Sequence, residues 1–475
     1  MGELYTKRWQ ILIALALGTS MVPINASIVN VSLPNITEFF QASVATSQWV
    51  LTAYLVMLLS LVLFFGRFGD SYGQEKLYMY GAVGFLFSSI LCSLAPSIYL
   101  LIIFRALQGI AAAMMISVSM GIVRRAFPVE KLGRALGIYS MAIAAGLALG
   151  PAIGGFLESA GSWTYIFLVN MPLGIISLII CYHVLERKRG EKVKWDLKGT
   201  ILQFTTLFTL VYGLSLVQTS RLDLKIFIIV FIALITFILF VINEKRVDHP
   251  LLNLSLFKNT KFSAYNLALL FNYLSMYMVL FIMPFYLQKV LHLPLNNIGL
   301  LLTISPITMM ILSPFSGFLS DKIRSRYLAF TGSLIFALAL FSMSQLTIFS
   351  SASDVLWRFI LLGIGAAFFQ APNNRSIMAS ISREESGMIS SIIVTMRNLG
   401  MVFAVSFAGL LLYSTISPTK LQTAMLFNLA AYDFTTGMHR IVIFGAILSV
   451  FMAFLSLMKI HDTKTVLEYI KNKFS

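Results

Sequence analysis

The chain has 475 residues, 58% of them hydrophobic and only 11% charged, with a mean hydropathy of +0.86. A soluble chain carries roughly 25% charged residues, so this composition excludes a soluble globular domain and points to a polytopic membrane protein. The formal net charge of +16 invites a nucleic-acid reading, but topology explains it better.

An apolar helix needs about 20 residues to cross the hydrocarbon core of a bilayer. In chain order, fourteen such segments are expected, at 10–32, 47–67, 77–96, 98–123, 134–157, 162–185, 198–218, 225–243, 263–288, 297–319, 326–347, 355–379, 387–413 and 438–460. The first is too long for a signal core and lacks a convincing cleavage site, so no cleavable leader is expected. Cys92 and Cys181 fall in different spans near opposite faces, which makes a disulfide unexpected. Basic residues mark alternate connections from the second-to-third loop onward. Of the 35 Lys and Arg residues, only Arg221, Lys225, Lys289, Arg358, Lys420 and Arg440 fall in the other set of segments, and Arg105, Arg375 and Arg397 lie within or near spans. This asymmetry is the positive-inside signal. It places both termini in the cytoplasm of a multi-pass cell-membrane protein and leaves no call for a nucleic-acid partner.

Motifs follow in the same order. The end of the first span reads Ile24-Asn25-Ala26-Ser27-Ile28-Val29-Asn30-Val31-Ser32-Leu33-Pro34. The second-to-third loop runs from Gly66 through Arg67, Gly69, Asp70 and Gly73 to Lys76, where glycines permit a tight turn and Asp70 can cap a helix or pair with a base. The fourth span carries Arg105-Ala106-Leu107-Gln108-Gly109. A charge inside a span costs roughly 2.5–3.5 kcal/mol on insertion scales and usually faces a cavity or a partner; toward the outer half it can snorkel. The fifth span holds Gly137, Gly146, Gly150, Pro151, Gly154 and Gly155. Glycine lets a neighbouring backbone approach closely, and proline bends the helix. Trp163, Phe167, Asn170, Pro172 and Gly174 follow, with Trp163 expected in the outer aromatic belt. Gln370-Ala371-Pro372-Asn373-Asn374-Arg375 and Thr395-Met396-Arg397-Asn398-Leu399-Gly400 mark the twelfth and thirteenth spans.

The chain also repeats itself weakly. Gly66 and Asp70 recur as Gly317 and Asp321, an offset of 251 residues; Gly109, Gly133 and Gly146 recur as Gly363, Gly387 and Gly400, an offset of 254. Internal repeats of this kind are a signature of secondary transporters with a midplane site between halves.

In combination, these motifs resemble those of the fourteen-span drug:proton antiporter family of the major facilitator superfamily, and the resemblance covers essentially the whole chain. It implies an all-α polytopic membrane protein with the major facilitator fold, 14 transmembrane helices arranged 6+2+6 in two pseudo-symmetric halves. The expected divisions are a six-helix half at 1–190, a two-helix insertion at 191–250, and a second half with a short tail at 251–475. In that family the loop motif latches the halves in the outward-facing state, the arginine matching Arg105 assists proton transfer or holds the first span, and the glycine-rich fifth span packs against the opposite half and keeps the cavity from leaking.

One departure is notable. The family pattern has a membrane-embedded aspartate where this chain has Asn25, and asparagine takes up no proton near neutral pH. None of the 19 acidic residues falls in the middle of an expected span. Glu158, or an Asp433–His439 pair, is therefore the expected proton handler; exchange without protons and downhill transport are the open alternatives. The expected cavity wall comprises Asn25, Asn30, Trp49, Tyr54, Arg105, Gln108 and Met115 from the first half. The second half adds Asn272, Tyr273, Tyr277, Gln370, Asn373 and Arg375. Aromatic and methionine side chains suit a broad apolar site. Positive residues near the pathway favour neutral, zwitterionic or anionic amphiphiles.

Three functions are weighed. The first is an exporter of amphiphilic small molecules of multidrug-efflux type, with protons as a further partner. The second is a lipid or anionic-amphiphile flippase. The third, a membrane enzyme, finds no support, because the sequence offers no metal-ligand cluster, no Ser/His/Asp arrangement and no phosphate-binding loop. No metal or cofactor is expected. Membrane lipids are the expected surroundings, and the expected state is a monomer.

Overall fold

The computed structural model describes residues 2–185, 196–219, 224–247, 250–252, 254–380, 386–415 and 431–457. Among these residues the chain is helical with no strand. The helices are α1 (Gly2–Phe39), α2 (Val44–Tyr72), α3 (Gln74–Ser93), α4 (Ile98–Ala126), α5 (Val129–Ser159), α6 (Tyr165–Leu168), α7 (Asn170–Val184), α8 (Leu197–Thr219), α9 (Leu224–Arg246), α10 (Thr260–Phe285), α11 (Leu295–Lys322), α12 (Ser325–Met343), α13 (Ala352–Ala379), α14 (Ser386–Tyr413) and α15 (Ala431–Leu457). A π-helical segment, Tyr286–Val290, extends α10. Fourteen spans are long and apolar enough to cross a membrane, with α6 and α7 together forming one of them.

Local chemistry sets the ends. Ser43 caps α2 by accepting from the Thr46 N–H at 3.1 Å, and Asn259 caps α10. Ser351 and Asp354 form a capping box on α13, each satisfying an orphan N–H of the first turn. Gly73 has φ 109° and turns α2 directly into α3, a conformation that carries no steric cost only for glycine. The last span starts at Ala431, seven residues earlier than the sequence pattern predicts. Its polar first turns are accommodated because Thr435 and Thr436 hydrogen-bond back to the carbonyls of Ala431 and Tyr432.

For orientation, the end of the bundle where α1 begins is called the near end, and the end where it finishes the far end. Helix pairing is the same in both halves. In the first, α1 packs on α5 and α7, and α4 packs on α2 and α3; in the second, α10 packs on α14 and α15, and α13 packs on α11 and α12. The sequence repeat is therefore a packing repeat. A methyl group on Gly109 would collide with the Tyr54 carbonyl of α2, and one on Gly363 would lie 2.5 Å from the Ser305 carbonyl of α11. One on Gly146 would lie 2.8 Å from the Ser20 carbonyl, and one on Gly400 2.7 Å from that of Leu270. In lipid, helices associate through such close approach because no hydrophobic force drives them together.

The halves meet along two seams, α5 with α11 and α2 with α14. The inserted helix α8 packs on both α2 and α14, across the second seam, and α9 packs on α8 and is the most exposed span. The spans most deeply buried are α1 and α10.

Candidate functional site

A charged residue survives in the bundle centre only with hydrogen-bonding partners. Arg105 is wholly buried on α4. Its Nε donates to the Val50 carbonyl on α2 at 2.9 Å, and its Nη1 donates to Asn25 Oδ1 on α1 and to Gln108 Oε1 at 2.6 Å. Gln108 in turn donates to Ser89 on α3 at 2.7 Å. One cation thus ties four helices together. The guanidinium lies 4.3 Å from the centre of the Tyr54 ring, an arrangement worth about 2 kcal/mol or more when desolvated, and Tyr54 is held by donating to the Val22 carbonyl at 3.1 Å. Snorkelling of Arg105 is accordingly corrected: it is anchored inward.

Beside this network a narrow chamber, too tight to hold water in this arrangement, is lined by Ala26, Asn30, Leu51, Tyr54, Leu55 and Arg105 from the first half and by Tyr277 and Val405 from the second. Its position between α1, α2, α4, α10 and α14 makes it the junction of the two halves. Behind Tyr277, the Tyr273 hydroxyl donates to Gln370 Oε1 at 3.2 Å, and Gln370 donates to Asn272 at 2.8 Å. Asn373 donates to the Tyr265 carbonyl at 3.1 Å.

Of the residues expected on the cavity wall, Asn30, Tyr54, Arg105 and Tyr277 line this chamber. Asn25 and Gln108 hold Arg105, Asn272, Tyr273 and Gln370 form the second-half network, and Asn373 is tied separately to the Tyr265 carbonyl. Three expectations are corrected. Trp49 faces the inserted pair: its Nε1 donates to Ser215 on α8 at 3.0 Å, and its ring packs on Phe208 and Tyr212. Met115 packs toward α3, where its Cγ lies 3.0 Å from a methyl placed on Gly81. Arg375 is exposed near the near end of α13 and donates to Ser320 on α11 at 3.1 Å. The indole and guanidinium found polar partners off the chamber, which sequence pattern alone does not show.

The far end holds a second constellation that the sequence reading missed. Asn35 on α1 donates to Glu158 Oε1 at 2.7 Å and accepts from Gln288 Nε2 of the opposite half. One turn along α1, Glu38 pairs with Lys289. The Ala45 N–H at the start of α2 donates to the Tyr413 hydroxyl at the end of α14, at 3.0 Å. Glu158 is buried and its Oε2 has no partner. The polar pair Gln288-Lys289 at the end of an apolar span was the available signal. The expected Asp433–His439 pair is corrected: Asp433 is exposed, while His439 contacts the Leu346 carbonyl at 2.6 Å. Six residues on one helix lie about a third of a turn apart, so the two side chains diverge.

The glycine-rich run of α5 divides between two partners. Gly146, Gly150 and Gly154 face α1, and Gly150 leaves room for the Ser27 hydroxyl. Gly155 faces α11, where a methyl would lie 3.0 Å from the Gly299 Cα; the Pro151 carbonyl likewise lies 2.5 Å from a methyl placed on Gly299. The expectation that the run packs on the opposite half thus holds for Gly155 and Pro151 but not for the other three. The surroundings of Gly137 and the Asp321 side chain lie outside the described residues.

At the near end, Gly66 and Gly317 have open space around them. Asp70 accepts from Gln74 at 2.5 Å, while Arg125 at the end of α4 pairs with Glu75 at 2.9 Å. Lys76 is half-buried at the start of α3. Arg67 donates to the Pro250 carbonyl at 2.6 Å, joining the loop to the segment that follows the inserted pair.

The sequence matches the Major Facilitator Superfamily over residues 15–261 and 265–471. It is 30% identical over 403 residues to the riboflavin transporter RibZ of Clostridioides difficile (strain 630), covering 84% of this chain and 87% of that one. It is 29% identical over 413 residues to the tetracenomycin C resistance and export protein of Streptomyces glaucescens, covering 86% and 76%. In fold it is similar, with a TM-score of 0.66 at 17% identity and 94% and 97% coverage, to an inward-facing, unoccupied bacterial homologue of the human lysosomal transporter Spinster.

Proposed function

This chain belongs to the Major Facilitator Superfamily and is a secondary membrane transporter, and on that premise we propose that it exports amphiphilic small molecules by alternating access. Relatives named for riboflavin transport and for tetracenomycin C export support a small organic cargo. The observation that carries the reading is the unequal closure of the two ends. Asn35–Gln288, Glu38–Lys289, Ala45–Tyr413 and the Gly155–Gly299 contact close the far end, whereas the motif glycines Gly66 and Gly317 at the near end face open space. With the near end cytoplasmic, as the positive-inside pattern supports, this is an inward-facing arrangement whose chamber takes cargo from the cytoplasm or the inner leaflet. The near-end loop motifs are then the latch that closes in the opposite state.

Proton coupling, in this reading, runs through Glu158. Among the described residues it is the acidic residue buried where the halves touch, and Asn35 links it to Gln288 across the seam. Opening of the far end would expose Glu158 to outer water, so its proton exchange and the gate are one event. The test is reconstitution in liposomes with an internal pH dye under an imposed pH gradient. Substrate-dependent proton flux that is lost in Glu158→Gln and kept in Asp433→Asn is expected. Substrate movement with no proton flux would overturn the coupling, and no movement of any amphiphile would overturn export itself.

A further inference from the structure

The chamber carries more positive character than its partners can neutralise. Arg105 makes all its hydrogen bonds to neutral acceptors, namely a backbone carbonyl and two side-chain amides. Its second terminal nitrogen, Nη2, is buried with no partner. On the opposite half, Arg397 stands on α14 three residues before Gly400, where an added methyl would lie 2.9 Å from the Tyr273 Cβ.

No described carboxylate answers these charges. Glu38, Glu158, Asp354 and Asp433 stand at the far end; Asp70, Glu75, Asp196 and Glu244 stand at the near end. A buried charge without a counter-charge is costly, and in a membrane span it marks a substrate or ion pathway. Three buried groups at this point that can donate have no partner. Arg105 Nη2 and Asn25 Nδ2 can only donate, and the Tyr277 hydroxyl, which lines the chamber, can donate. An aspartate at position 25 would compensate Arg105; Asn25 leaves the charge standing.

We propose that this chamber is an anion-accepting subsite that takes the acid group of a singly charged amphiphile between Arg105 and Tyr277. The acid oxygens accept from Arg105 Nη2 and from the Tyr277 hydroxyl, and the apolar body lies along Leu51, Leu55 and Val405. The gap is too narrow to admit even a water molecule in this arrangement, so the ligand enters as the halves part around Tyr277 and Val405. Because the ligand touches both halves, its charge bridges the junction that must rearrange during transport. The subsite deepens the export reading by naming the cargo class, and it rests on that reading for its role, though not for its binding.

The test is equilibrium binding of tritiated 2-naphthoate to the full-length protein in phosphatidylcholine nanodiscs, read by scintillation proximity. Competition uses 2-naphthylmethanol and a 2-naphthyl trimethylammonium salt, which share the ring body. Naphthoate is expected to compete about tenfold better than either. Arg105→Gln and Asn25→Asp each weaken naphthoate binding by about tenfold or more, and Tyr277→Phe weakens it by roughly two- to fivefold. Where Arg105→Gln fails to fold, Asn25→Asp and Tyr277→Phe carry the test. Equal competition by the three head groups, or unchanged naphthoate binding in Asn25→Asp, overturns the subsite. Adding phosphatidylglycerol identifies the source of the acid: loss of naphthoate binding assigns it to a lipid, and unchanged binding assigns it to a soluble amphiphile; the subsite stands in both. Binding without any transport in liposomes would instead overturn export and leave the subsite intact.

Discussion

Gly155 and Gly299 face each other across the seam between the halves: a methyl on Gly155 would lie 3.0 Å from the Gly299 Cα, and one on Gly299 would lie 3.1 Å from the Gly155 Cα. The far end closes because neither residue has a side chain. Gly155→Leu or Gly299→Leu is expected to reduce transport by about tenfold or more while leaving each half folded, since the new side chain strikes only the opposite half. Gly150→Leu should behave differently. It strikes Ser27 and the Ile24 carbonyl within one half, and overpacking of that kind costs about 1–3 kcal/mol. Folded yield and melting temperature should fall for Gly150→Leu and hold for Gly155→Leu. The same loss of stability in both would contradict this division of the run.

The polar ties at the far end set the balance between the two states. A hydrogen bond contributes a net of about 0.5–1.5 kcal/mol, so Gln288→Ala should shift the population away from far-end closure by roughly two- to tenfold. Spin labels placed on either side of the seam and measured by double electron–electron resonance would report the shift. Lys289→Ala removes an ion pair whose Glu38 partner is exposed, and such pairs contribute about 0–1 kcal/mol. It should move the balance less than Gln288→Ala.

Trp49 and Ser215 fasten α8 to α2. Interhelical hydrogen bonds in membranes average about 0.6 kcal/mol. Ser215→Ala should therefore lower stability slightly and leave transport intact, whereas Trp49→Ala also empties the packing against Phe208 and Tyr212 and should cost about 3–5 kcal/mol. Denaturation in detergent distinguishes the two. A large loss of affinity for cargo in Ser215→Ala, at unchanged stability, would return this face of α2 to the substrate pathway.

Gly66 faces open space while Gly73 has φ 109°. The two glycines of one motif should thus respond in opposite ways. Gly73→Ala places a methyl in a strained backbone conformation that costs roughly 1–3 kcal/mol, so melting temperature should fall. Gly66→Leu should leave stability unchanged in the near-end-open state and block transport, because the halves must approach there to close. Unimpaired transport by Gly66→Leu would remove the near-end latch.

The sequence carried the spans, their number, the repeat and the motifs, because each is written in hydropathy or in residue type at fixed spacing. It carried Arg105 as a residue needing partners, and Asn25 as a position where a proton carrier is missing. Trp49 and Met115 were misplaced for a common reason. On a helix buried all round, an apolar or aromatic residue gives no sign of which neighbour it meets, since every face is equally apolar.

By itself, then, the sequence determined what physical chemistry reads locally: fourteen membrane helices, glycines where backbones approach, a buried cation, and acidic residues confined to the ends. Tertiary structure decided which backbone each glycine meets, and that Asn35 joins Glu158 on its own half to Gln288 on the other, 253 residues away along the chain. It also decided that Arg105 binds only neutral groups. Those facts depend on how two halves of similar sequence are set against each other, and hydrogen bonds across that seam leave no periodic trace in either strand of the repeat.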